Sequence, residues 1–64
     1  MRIDRIELTK QLTAKDLTIR RLSELSDVST VTISGIKGGK RCTDETGLKL
    51  AAALGIPIEQ LVQQ

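Results

Sequence analysis

The sequence predicts an all-α fold, a compact five-helix arrangement forming one domain over residues 1–64. Three observations carry that prediction. Apolar residues recur at spacings of three to five through Leu17, Leu22, Leu25, Val28, Ile33 and Ile36, as on the buried faces of short helices. Residues able to cap a helix (Thr18, Ser29 and Thr43) stand ahead of three segments that end on the stops Asp27, Gly38-Gly39 and Gly55. Phe, Trp and Tyr are absent, so the core has to be aliphatic.

The first helix is expected from about Asp4 to Ala14, with Ile3, Ile6, Leu8 and Leu12 available for burial. Thr18 caps the second, Ile19 to about Ser26, and Ser23 is the small residue placed where two helices cross closely. Asp27 then has to take a left-handed backbone, which aspartate tolerates better than most residues. The third helix, about Thr30 to Lys37, opposes its own propensity. Val28-Ser29-Thr30-Val31-Thr32-Ile33 is rich in β-branched residues and reads equally as a strand leading into the Gly38-Gly39 turn. Context decides for helix. Burying Ile33 and Ile36 on one face, at about 1.5–3 kcal/mol each, outweighs propensity costs of roughly a few tenths of a kcal/mol per residue.

Thr43 caps the fourth helix, and Asp44 and Glu45 in its first turn suit the positive end of the dipole. It continues through Leu48, Leu50, Ala51 and Leu54 and stops at Gly55. Gly47 inside it costs roughly 1 kcal/mol relative to alanine, for which close helix approach and a tolerated defect are equal explanations. The last helix starts near Pro57, with Ile56 and Leu61 spaced as a hydrophobic staple.

A chain of 64 residues buries only about 60% of its unfolded surface, and Cys42, its single cysteine, offers no disulfide. A lone thiol suits a reducing compartment, and Cys42 reads as a partly buried small hydrophobe rather than a redox sensor. MRIDRIELTK lacks the apolar stretch of a signal peptide, and no run approaches a membrane span, so a soluble cytoplasmic protein beginning at Met1 and without membrane partners is expected. With no histidine and one cysteine, neither a metal site nor the usual nucleophilic constellations can be assembled, so no cofactor, no metal and no enzymatic activity are expected. Without aromatic rings there is no platform for stacking single-stranded bases.

Charge is distributed more tellingly than its total of +2. Between Ser29 and Cys42 stand Lys37, Lys40 and Arg41 with no acid, whereas residues 1–28 carry six basic and five acidic residues and residues 43–64 carry one and three. Two helices locked at a steep angle leave one projecting, which is the geometry that enters a DNA major groove, and the positive field lies just beyond it.

The assembled residues resemble the lambda-repressor-like, Cro-type helix-turn-helix family of transcription regulators. The resemblance runs from about Leu12 to Val62, through LSELSDVS, TISGIKGGKR and ETGLKLAAALGIPIEQLV. It implies that Ile19 to Ser26 positions the recognition helix Thr30 to Lys37. Thr30, Val31, Thr32 and Ser34 then read bases, while Thr18, Arg20, Lys37, Lys40 and Arg41 contact phosphates. Three departures stand out: Ile19 replaces a frequent Gln, Asp27 replaces the usual turn Gly, and Gly35 lacks a bulky polar reader. No Arg, Asn or Gln lies on the outer face, so specificity rests on Thr, Val and DNA shape.

A module of this size implies a homodimer on double-stranded DNA, acting as a stand-alone phage- or prophage-type repressor, and for Ile58, Leu61 and Val62 of the fifth helix a dimer surface and a purely intramolecular packing role are equal readings. The alternative is a protein-interaction module, such as an antitoxin subunit.

Overall fold

The computed structural model describes residues 1–63. Five helices follow in order: α1 Arg5–Ala14, α2 Ile19–Ser26, α3 Thr30–Lys37, α4 Asp44–Leu54 and α5 Ile58–Leu61. Helix α4 packs on α2, α3 on α2 and α1, and α5 on α4 and α1. Their shared interior is aliphatic: Ile3, Leu8, Leu22, Ile33, Ile36, Leu50, Leu54 and Leu61 are all but sealed from solvent. At about 1.5–3 kcal/mol per buried aliphatic side chain, these contacts dominate the stability of the domain.

The caps hold the helices where the sequence places them. Thr18 accepts from Arg21 N at 3.0 Å, Ser29 from Thr32 N at 3.2 Å and Thr43 from Thr46 N at 3.2 Å. Three helices stop in the same way. Behind α1, α3 and α4 the chain reverses through a positive-φ residue, Asp16, Gly39 and Gly55 respectively. In each, the next residue donates back across the turn, Leu17 to Leu12 O, Lys40 to Gly35 O and Ile56 to Ala51 O. Helix α2 ends on Asp27, left-handed at φ 61 as the sequence requires. The β-branched run is helical from Thr30 onward, because the Ser29 cap and the burial of Ile33 and Ile36 outweigh its strand propensity.

Several expectations need correction. Ile6 is 83% exposed rather than buried, and Leu25 is 47% exposed, because each stands on the outer side of its helix. Ile3 precedes the helix: Asp4 is the N-cap, accepting from Ile6 N and Glu7 N. The residues before it form an extended segment in which Ile3 bridges antiparallel to Val62. The buried small residue of α2 is Ser26, while Ser23 is half-buried. Of the two readings for Leu61, dimer surface or intramolecular packing, its 0% exposure decides for packing. The protomer's own core takes its side chain, leaving Ile58 and Val62, both half-buried, at that end.

Gly47 is explained by close approach, of the chain terminus rather than of another helix. It is buried, and a Cβ there would overlap the Met1 sulfur.

Candidate nucleic-acid interface

Helix α3 divides into two faces. Ile33 and Ile36 anchor the inner one, while Thr30, Val31, Thr32 and Ser34 are exposed on the outer one. Val31 is 80% exposed, an isolated aliphatic group of the size that packs against a thymine methyl. Thr32 has a second engagement: its hydroxyl accepts from the capping hydroxyl of Ser29 at 2.8 Å, which steadies the side chain in the first turn.

The structure joins the expected contact residues in two groups. Val31, Thr32, Lys40 and Arg41 line one groove between α3 and the start of α4, with Cys42 and Thr43 on its far wall. Thr18 and Lys37 line a second cleft, between the end of α1 and the start of α2. Arg20 is exposed on α2, and Thr30 and Ser34 are exposed on α3, outside both concavities. Among the described residues, none of Arg20, Lys37, Lys40 and Arg41 is held in an ion pair.

Gly35 gains a meaning that its lack of a side chain hid. A Cβ there would lie 3.5 Å from Lys40 Cδ, so the lysine stem folds back along the helix. The outer face therefore carries a cation that sequence spacing assigned to the following loop. The Gly39 reversal that turns Lys40 back is the signal that identifies this, since it sets the direction of the next residue.

Cys42 is half-buried against the core. Burial, the largest influence, pushes its thiol above the ordinary value, with Asp44 adding to the rise and the terminal ammonium opposing it. At neutral pH it is a protonated thiol, as expected of a small hydrophobe.

Among the described residues no helix is long and apolar enough to cross a membrane, and no cluster of potential metal ligands is present.

A family profile described as a Cro/C1-type HTH DNA-binding domain matches residues 7–63. The chain is also similar to an uncharacterised HTH-type transcriptional regulator, RghRB, of Bacillus subtilis (strain 168). The two are 45% identical over 77% of this chain, which spans 37% of that relative's length. No solved structure matches the chain.

Proposed function

The chain belongs to the Cro/C1-type helix-turn-helix DNA-binding domain family, and from that premise we propose that it acts as a phage- or prophage-type repressor in the cytoplasm. Helix α3 lies in the major groove. Thr30, Val31, Thr32 and Ser34 meet base edges, and Thr18, Arg20, Lys37, Lys40 and Arg41 meet the flanking phosphates. The observation that carries this reading is the division of α3: a sealed inner face, and an outer face of small side chains bordered by unpaired cations. Such a face admits close approach to base edges, while the cations supply attraction that does not depend on sequence.

Repression follows by occlusion of a promoter. One small module buries too little interface for tight specific binding, so two protomers act on half-sites about 34–36 Å apart. Ile58 and Val62 are the apolar groups nearest the α5 end that remain partly accessible for such pairing.

Anisotropy titration of a labelled mixed-sequence duplex across a salt series tests the reading. Four cationic contacts predict a log–log slope of about −3.6 per bound protomer, given about −0.9 per phosphate neutralised. No duplex binding at low salt overturns it.

A further inference from the structure

We propose that Arg5, with Arg2 beside it, holds a DNA backbone phosphate at the exit of the third helix. This rests on the DNA-binding reading above and extends it to residues outside the helix-turn-helix.

Arg5 opens α1, yet its side chain lies over the loop that follows α3. Its Cδ is 3.7 Å and its Nη1 3.8 Å from where a Cβ on Gly39 would stand. Gly39 has φ +104 and carries no side chain to push the arginine away. Between the amino-terminal segment and Gly38-Gly39 there is a cleft of about 420 Å³ with Arg2 and Arg5 in its wall. Arg2 also borders an adjoining hollow with Arg41. The cations Arg5, Arg2 and Arg41 thus follow one edge, running into the loop whose next residue, Lys40, folds back over α3.

No ion pair among the described residues takes them up, and the one carboxylate in the cleft wall is that of Asp4. Its Oδ1 already accepts from Ile6 N at 2.9 Å and Glu7 N at 3.1 Å. The first amides of α1 are therefore occupied, and any attraction for an anion comes from the guanidinium groups.

The platform is also fixed in place. Gln63 N donates to Arg2 O at 2.9 Å and Asp4 N to Leu61 O at 2.8 Å, with Ile3 buried between them. The anchored backbone fixes where the two guanidinium groups can reach, and each can meet a phosphate in a bidentate fashion.

The test is salt-dependent anisotropy with the same mixed-sequence duplex, since a backbone contact is independent of base sequence. Arg5→Gln should weaken binding several-fold at low salt and reduce the salt slope by about 0.9. Arg5→Lys should restore the slope, and circular-dichroism melting should show the fold retained. Lys49→Gln, which removes the same charge from an α4 side chain paired with Glu45, should change binding far less. If Arg5→Gln perturbs folding, Arg2→Gln interrogates the same cleft. The proposal falls if the arginine variants bind with wild-type affinity and slope, or lose no more than Lys49→Gln. The distinction from the broader reading is direct. Wild-type binding with unaffected arginine variants removes this proposal alone, whereas a wild type that ignores DNA removes both.

Discussion

At the scale of single residues, the outer face of α3 and the loop after it separate two kinds of recognition. Thr30 offers one hydroxyl, able to donate to or accept from several bases, so it discriminates weakly but in a sequence-dependent way. Lys40 carries a charge that any phosphate attracts. Thr30→Ala is therefore expected to alter relative affinity among sites selected from a random pool, by about threefold to tenfold. Lys40→Ala should weaken all of them alike and reduce the salt slope by about 0.9. Parallel titrations of both variants against three unrelated sites make the comparison, and identical behaviour would show that the sorting into base and phosphate contacts is wrong. Elsewhere one hydroxyl decides a turn. Ser26 donates to Leu22 O at 2.7 Å and accepts from Val28 N at 3.3 Å, so the amide stranded between α2 and α3 is satisfied inside the protein.

Between elements, a polar ladder on α1 reaches α5. Lys15 Nζ donates to Gln11 Oε1 at 2.6 Å, and Gln11 Nε2 donates to Glu7 Oε2 at 2.7 Å. The same oxygen accepts from Gln60 Nε2 of α5 at 3.2 Å. The bond from Gln11 first, then that from Gln60, holds the Glu7 carboxyl below its ordinary value, with Lys10 and Lys15 adding to the effect against a small opposing cost of burial. A carboxyl depressed in the folded state stabilises it above the unfolded value, and that contribution is lost as pH falls through the folded value. Stability should accordingly decline below the usual carboxylate range, and Glu7→Gln should flatten that acid limb. Denaturant midpoints measured from pH 7 to pH 3 for both proteins check this; superimposable profiles would remove Glu7 from the account.

Over the whole molecule, the two ends of the chain close the fold on each other. The extended residues before α1 pair with those after α5, and Ile3 seals the bottom of the aliphatic core at 1% exposure. Truncating Ile3 to alanine should cost about 2–5 kcal/mol, a large share of the total for so small a domain. A Tm lower by roughly 10 °C or more is expected. A fall of only a degree or two would mean that the paired ends are peripheral to the cooperative unit.

The sequence by itself determined the helices and their order. Caps, left-handed stops and short-range apolar spacing are local signals, which is why α2 and α3 were legible to the residue. It also marked the outer face of α3, since residues that alternate with buried isoleucines at helical spacing must face away from the core. Only the tertiary structure decided the rest. It paired Ile3 with Val62 and put Leu61 in the core, laid the Lys40 stem on Gly35, and brought Arg5 against Gly39. Each of these joins residues through a chain reversal or across the closed ends of the molecule. Such contacts depend on the direction in which a folded backbone sends a side chain, and that direction is set by packing of the whole core.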